Sequence, residues 1–127
     1  MSKSLTTSHR WSIARLAYWH LDRGHLDRAE SLARGLIALN NRDGLGWLYY
    51  GEARLQQGDL DGAIRGFEQA ARWMSEEGQV WMRLGKIYLR VSRFEEARRA
   101  LEKARQIGND PALMRRVKAL LRKAGRQ

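Results

Sequence analysis

The sequence contains no cysteine, a single proline and no long apolar run, and each absence excludes a class of protein. Without cysteine there is no disulfide framework and no thiolate metal site. The isolated proline and a hydrophobic content of 43% argue against a disordered chain. No stretch approaches the roughly 18 apolar residues of a membrane-spanning helix, and the first ten residues lack the apolar core of a signal peptide. The sequence therefore predicts a folded, non-exported, cytoplasmic domain.

The sequence also lacks the usual catalytic and cofactor-binding patterns. It has no phosphate-binding loop and no nucleophile elbow, and the neighbouring carboxylates Asp59 and Asp61 fall where helix caps are expected. His20 and His25 are separated by a turn glycine, which is a poor spacing for metal ligands. We interpret these histidines as partly exposed helix-end residues. We expect no enzyme activity, no cofactor and no metal site.

Positive charge is abundant but unevenly distributed. The formal net charge is +10 at pH 7. Residues 112–127 carry six basic side chains and no acidic one, whereas residues 44–77 carry more acidic than basic side chains. A basic C-terminal half favours an acidic partner, which could be a protein, an anionic lipid surface or a nucleic acid.

A pattern of large and small residues recurs with a period of 34. Trp47 and Gly51 return as Trp81 and Gly85. Three further pairs keep the same spacing: Ala63 with Ala97, Phe67 with Leu101, and Ala70 with Ala104. A weaker copy, apolar or small at each of these places, begins near Ile13. A fixed period of this length predicts a helix–turn–helix repeat.

These positions resemble the tetratricopeptide repeat (TPR) family, and the resemblance covers about residues 10–111. It implies an all-α fold, a right-handed superhelix of three repeats followed by a C-terminal capping helix. The predicted divisions are an N-terminal segment that can be flexible (1–9), three repeats (10–43, 44–77 and 78–111), and a basic capping helix and tail (112–127). Helices are predicted at about 8–22, 26–39, 44–57, 60–74, 78–91, 94–107 and 111–124.

Three glycines interrupt otherwise good helix sequences, at a cost of roughly 1 kcal/mol each relative to alanine. The resemblance explains Gly51, because the two helices of a repeat cross closely and Phe67 fills the space beside them. Gly62 and Gly66 have no glycine one period later, and the sequence alone gives no reason for them. Trp47, Trp73 and Trp81 are assigned to the repeat cores.

Members of the TPR family bind partners along the concave face lined by the first helix of each repeat. The resemblance places aromatic and apolar side chains on that face in the first two repeats and cationic ones in the third. The candidate groove residues are Trp11, Arg15, Tyr18, Leu48, Tyr49, Glu52, Met82, Arg83, Lys86 and Arg90. Their aromatic and apolar members are expected to form one continuous stripe that the repeat cores do not need. Such a face suits an extended or helical partner segment with apolar and acidic residues.

Two subclasses of the family give different expectations for function. The carboxylate clamp of TPR domains that dock heat-shock chaperones is missing, since only Arg83 matches it. The run from Leu16 to Asp43 is similar to the first repeat of small bacterial TPR chaperones of type III secretion systems. The resemblance therefore implies a chaperone or assembly factor for a secretion subunit. The alternatives are a generic TPR scaffold in a multiprotein complex and, less favoured, an RNA-binding helical repeat.

Overall fold

The computed structural model describes the backbone of residues 2–125 and the side chains of residues 9–125. Within that range the chain forms seven α-helices and no strand. They are α1 (Ser2–Asp22), α2 (Leu26–Leu39), α3 (Gly44–Gln56), α4 (Leu60–Trp73), α5 (Gly78–Arg90), α6 (Phe94–Ile107) and α7 (Pro111–Gly125). This order of three helix pairs and a final helix confirms the predicted all-α fold.

The main difference from the predicted helices is at the N-terminus. Helix α1 begins at Ser2 rather than near residue 8, so residues 2–9 continue the first helix. The repeat pattern could not indicate this start, because it begins only at residue 10, and no proline or glycine interrupts the preceding residues. Met1, for which the sequence suggested flexibility, and the tail residues 126–127 lie outside the described residues.

The chain divides into two compact units, Met1–Trp73 and Met74–Gln127, which we call unit 1 and unit 2. In unit 1, α2 packs against both α1 and α3, and α3 packs against α4. In unit 2, α6 packs against α5 and α7. Buried alanines, including Ala33, Ala63 and Ala97, line these helix contacts and allow the helices to approach closely. The predicted repeat boundaries stay predictions.

Helices α3 and α4 cross at a pair of glycines. A Cβ atom added to Gly51 would lie 2.9 Å from two ring carbons of the buried Phe67, which confirms the close approach expected there. A Cβ atom added to Gly66 would lie 2.7 Å from the Cα and N atoms of Gly51 and 2.9 Å from the carbonyl oxygen of Trp47. Gly66, which the sequence left unexplained, is therefore the other half of this crossing.

The cap of α4 explains the third glycine. The backbone N–H of Gly62 donates a hydrogen bond to Oδ1 of Asp59 at 2.9 Å, as expected of an N-cap aspartate. A Cβ atom on Gly62 would collide with the same carboxylate. The capping geometry therefore favours glycine at this position.

The three tryptophans assigned to the cores take two different positions. The indole Nε1 of Trp47 donates to the carbonyl oxygen of Asn41 at 2.8 Å, and that of Trp81 donates to the carbonyl oxygen of Ser75 at 2.9 Å. Both rings are half-buried, and each ties its helix to the preceding turn. Trp73 is 36% exposed, so its core assignment is wrong. It is the last residue of α4, where the helix ends before its ring can be covered.

We expect Gly66→Ala to lower the free energy of unfolding by about 1–3 kcal/mol, because the added methyl group must push two backbones apart. Gly35→Ala is a matched control within α2, where an added Cβ atom meets nothing within 4 Å. That change should stabilise the protein by about 0.4–1 kcal/mol through helix propensity and the unfolded state. Urea unfolding followed by circular dichroism measures both. Equal effects of the two changes would contradict the glycine crossing.

Candidate functional site

An open cleft in unit 1 gathers aromatic side chains from α1 and α3. Its volume is about 340 Å³, and we call it the aromatic cleft. It is lined by Trp11, Ala14, Arg15, Tyr18, Trp19, Asp22, Arg23, Leu45 and Tyr49. Trp11, Arg15 and Tyr18 follow one another at helical spacing, which places them on the same side of α1. Four of the predicted groove residues therefore meet in one place.

The rings of the aromatic cleft differ in exposure. Trp11 is 54% and Tyr18 is 62% exposed, whereas Tyr49 is half-buried and packs against the core cluster of Leu21, Ala29 and Ala53. The expectation that Tyr49 has no part in a repeat core is therefore wrong. The ring centroids of Tyr18 and Tyr49 lie 6.5 Å apart. Burial raises the pKa of Tyr49, and Tyr18 acts in the same direction, so the hydroxyl of Tyr49 stays protonated at neutral pH.

Arginine side chains lie over the exposed rings. The guanidinium carbon of Arg23 is 3.9 Å from the ring centroid of Trp19, and that of Arg10 is 5.2 Å from the ring of Trp11. Arg10 also pairs with Asp43 at 2.6 Å, and Asp43 accepts a hydrogen bond from the backbone of Leu45 at the start of α3. These contacts join α1 to α3 beside the cleft.

Trp19 is a cleft residue that the sequence analysis did not include. It is 43% exposed and lies four residues after Arg15 on α1. Its signal was present in the sequence, because a tryptophan that does not align with the core positions of the later repeats needs another role. Arg23 and Asp22 follow from the same helix spacing and were also missed.

A pair of histidines contacts Trp19 at the turn between α1 and α2. The Nδ1 atoms of His20 and His25 are 3.0 Å apart, so one ring donates a hydrogen bond to the other. The rings of Trp19 and His20 are in edge-to-face contact, with 5.0 Å between their centroids. His20 is buried, which corrects the expectation of a partly exposed residue. Burial lowers the pKa of His20, and His25, Arg28 and Arg23 act in the same direction.

A second cleft, in unit 2, is cationic. Its volume is about 430 Å³, and we call it the cationic cleft. It is lined by Lys86, Leu89, Arg90, Ser92, Phe94, Leu120 and Lys123. Lys86 and Arg90 were predicted groove residues, and the exposed Arg83 precedes them by about one turn of α5. Leu120 and Lys123 were missed, because they belong to α7, to which the sequence analysis gave only a capping role.

Met82 is a core residue of unit 2. It is 2% exposed and packs in a buried cluster with Leu101, Leu113 and Val117. The expectation that it lines an accessible surface is therefore wrong, because α7 supplies two of the side chains that cover it. Leu48 and Glu52 are half-buried on α3 and do not line the aromatic cleft, so their role in binding stays a prediction. The continuous stripe across the three repeats also stays a prediction.

Among residues 9–125, no group of three or more histidine, aspartate or glutamate side chains is arranged to hold a metal ion. Of the helices described here, none combines the length and the apolar composition that a transmembrane segment requires.

We expect the protein to lose stability as the pH falls from about 7.5 to about 5.5, partly through His20. The folded pKa of His20 lies below its ordinary value of about 6.5, so the unfolded chain binds the proton more readily and protonation favours unfolding. Between these two pH values the urea midpoint should fall less in His20→Asn than in the parent. His9→Asn, at an exposed position, is the control, and its urea midpoint should fall by as much as that of the parent. An identical fall in all three proteins would show that His20 does not contribute.

Comparisons with known proteins place this fold. Tetratricopeptide repeat family models match residues 15–78 and residues 54–121. No relative among the curated proteins matches the chain. Several solved structures are similar in fold. One is the type III secretion chaperone SycD of Yersinia enterocolitica, in complex with a peptide of the translocator YopD. It is 23% identical, the match covers 90% of each chain, and the TM-score is 0.82.

Two further structures extend the comparison. PcrH, a Pseudomonas aeruginosa protein solved with the chaperone binding region of PopD, is 19% identical. That match covers 99% of this chain and 94% of PcrH, with a TM-score of 0.84. The TPR2B domain of yeast Sti1, in an Hsp70 complex, is 19% identical over 94% of this chain and 98% of that domain, with a TM-score of 0.83. At these identities the likeness establishes a shared fold, and with the two family models the chain belongs to the tetratricopeptide repeat family.

Proposed function

We propose that the protein is a non-catalytic chaperone or assembly factor that holds an apolar segment of a partner protein in the aromatic cleft. The observation that carries this proposal is the cluster of exposed rings on α1, namely Trp11, Tyr18 and Trp19. Exposed aromatic clusters on a folded protein are typical of protein-binding surfaces, and tryptophan and tyrosine supply much of the energy at such surfaces. The cleft provides a concave place in which a partner side chain loses its contact with water.

The rim of the aromatic cleft indicates the chemistry of the partner. Arg15 and Arg23 provide two positive charges, and Asp22 provides one negative charge. An apolar side chain can pack between the rings, while a neighbouring carboxylate of the partner approaches the arginines. The partner is therefore an extended or helical segment with apolar and acidic residues.

The similar structures suggest the class of partner. SycD was solved with a peptide of the translocator YopD, and PcrH was solved with the chaperone binding region of PopD. The first repeat of the present chain also resembles small chaperones of this kind in its sequence. We therefore place the partner among the translocators or subunits of a type III secretion system. In this role the protein would keep an aggregation-prone subunit soluble in the cytoplasm before its export.

A general TPR scaffold is the second candidate. The TPR2B domain of yeast Sti1 matches the fold with a TM-score of 0.83, close to the scores of SycD and PcrH. The fold therefore does not separate a secretion chaperone from an adaptor of a multiprotein complex. The identity of the segment that binds the aromatic cleft separates them.

We expect Tyr18→Ala to weaken partner binding by about 1–3 kcal/mol, because a central aromatic anchor is lost from the cleft. Tyr18 is a better choice than Tyr49, since it is 62% exposed and its removal should hardly affect folding. The measurement is a titration with peptides that tile the candidate secretion subunits encoded beside the gene. Each variant is first checked for an unchanged melting temperature.

Leu16→Ala is the matched control for this experiment. Leu16 lies on the same helix, is 47% exposed and does not line the aromatic cleft. Its removal also deletes exposed apolar surface, so it should leave the affinity within about twofold of the parent, as for a residue outside the binding hot spot. If Tyr18→Ala binds as well as Leu16→Ala does, the aromatic cleft is not the binding site.

A further inference from the structure

We propose that the cationic cleft of unit 2 is a second binding site, which takes an acidic peptide segment carrying an apolar side chain. In this proposal α7 forms one wall of the site in addition to covering the core. The inference rests on the proposed function for the class of partner, a protein segment, and it adds a site that uses the C-terminal helix.

The positive charges of the cationic cleft are uncompensated. Lys86 and Arg90 come from α5 and Lys123 comes from α7, and no acidic side chain is among the lining residues. None of the three forms an ion pair with any residue whose side chain is described. The arginines of α6 are different.

Three of the α6 cations are paired with glutamates within the same helix or its cap. Arg93 pairs with Glu96 at 2.6 Å, Arg105 pairs with Glu102 at 2.8 Å, and Arg98 pairs with Glu95. A cation that is paired in this way attracts an anionic ligand only weakly. The three cations around the cationic cleft, by contrast, keep a positive electrostatic potential. The three cations that line the cationic cleft therefore retain their attraction for a carboxylate.

The floor of the cationic cleft is apolar. Leu89, Phe94 and Leu120 line the cleft and are half-buried, whereas the cations are exposed, and Leu89 and Leu120 also pack against the core of unit 2. A plain basic surface would offer only charge. An apolar floor below charged walls instead suits a ligand with an apolar side chain next to carboxylates.

The turn between α5 and α6 carries a second mark of a binding site. Gly24, Gly58 and Ser92 are one repeat apart, and all three have positive φ angles, of 75°, 84° and 62° respectively. Serine in this conformation costs free energy that glycine does not, because its Cβ approaches the backbone. Of these three equivalent positions, Ser92 lines the cationic cleft, whereas Gly24 and Gly58 line neither of the two clefts described here. Its hydroxyl can donate a hydrogen bond to a carboxylate held by Lys86 and Arg90, which gives the strained residue a function.

The lining favours a peptide over a nucleic acid. Single-stranded nucleic acids bind through aromatic side chains on which successive bases stack. The one aromatic residue lining the cationic cleft is Phe94, which is half-buried. A peptide needs no such platform, and its carboxylates and apolar side chains match the walls and the floor.

The test uses the full-length protein and two fluorescent synthetic peptides. One alternates glutamate and leucine, and in the other every glutamate is glutamine. Binding is measured by fluorescence anisotropy at about 0.15 M salt. At this ionic strength the screening length is about 8 Å, so charges far from the cationic cleft contribute little to the affinity. We expect the glutamate peptide to bind at least about tenfold more tightly, as for several carboxylates that each gain a modest ion pair.

Lys123→Glu is the decisive variant, because it changes the α7 wall at an exposed position. It should weaken binding of the glutamate peptide at least about fivefold. Arg115→Glu is the matched control, with the same charge change on the same helix and an exposed side chain outside the cleft. It lies about 12 Å away along the helix axis and should change the affinity less than about twofold.

Three results would overturn the proposal. Equal weakening by Lys123→Glu and Arg115→Glu would show diffuse attraction to a basic helix. Equal binding of the two peptides would show that carboxylates are not recognised. Tighter binding of an oligouridylate probe, lost in Lys123→Glu, would assign the cleft to nucleic acid.

The two proposals fail separately. Tyr18 and Lys123 lie in different units, so Lys123→Glu should weaken binding of the glutamate peptide at least about fivefold also in the Tyr18→Ala background, where the aromatic cleft is impaired. If Tyr18→Ala abolishes binding of the secretion-subunit peptides but Lys123→Glu has no effect on the glutamate peptide, only the cationic site is wrong. If Lys123→Glu has its expected effect while Tyr18→Ala and Leu16→Ala bind the subunit peptides equally, only the aromatic cleft is wrong.

Discussion

The close crossing of paired helices at residues with little or no side chain is the constraint on which the rest of this structure depends. At Gly51 and Gly66 the backbones of α3 and α4 approach so closely that a methyl group on either glycine has no room. The crossing of α5 and α6 uses Gly85 against Leu101, with Ala100 in the place of Gly66. Each crossing gives up helix propensity and gains tight packing, because the glycine removes side-chain bulk where Phe67 or Leu101 then fits.

The crossing geometry also decides which side chains are left for binding. Once small residues occupy the contact between two helices, the large side chains must lie beside it or face outward. Phe67 and Leu101 fill the core, whereas Trp11, Tyr18 and Trp19 remain at the surface of unit 1. Arginines cover part of the exposed rings, as Arg23 does for Trp19 at 3.9 Å. Such a contact shields the ring without filling the cleft and can exchange for a partner side chain at modest cost.

Charge is arranged differently in the two units. In unit 1 the carboxylates hold neighbouring helices together: Glu30 on α2 accepts from Arg34 and from Arg54 on α3. In unit 2 the glutamates of α6 are used locally, by arginines within one turn. Lys86, Arg90 and Lys123 are outside this pairing, and the local pairing accounts for the cationic cleft better than the total charge does.

The sequence by itself determined the seven helices, the period of 34 and the family, because these follow from local propensity and from the spacing of large and small residues. It also identified Trp11, Arg15, Tyr18 and Tyr49 as neighbours, since helical spacing and repeat phase fix which side of a helix they occupy. Only the tertiary structure decided which side of each helix is covered by other helices and which is exposed. Met82 is buried because α7 packs over it, and Trp73 is exposed because α4 ends at that residue. Gly66 is explained only by the backbone of Gly51, and Lys123 joins Lys86 only through the packing of α7, because contacts between distant residues leave no periodic trace in a single sequence.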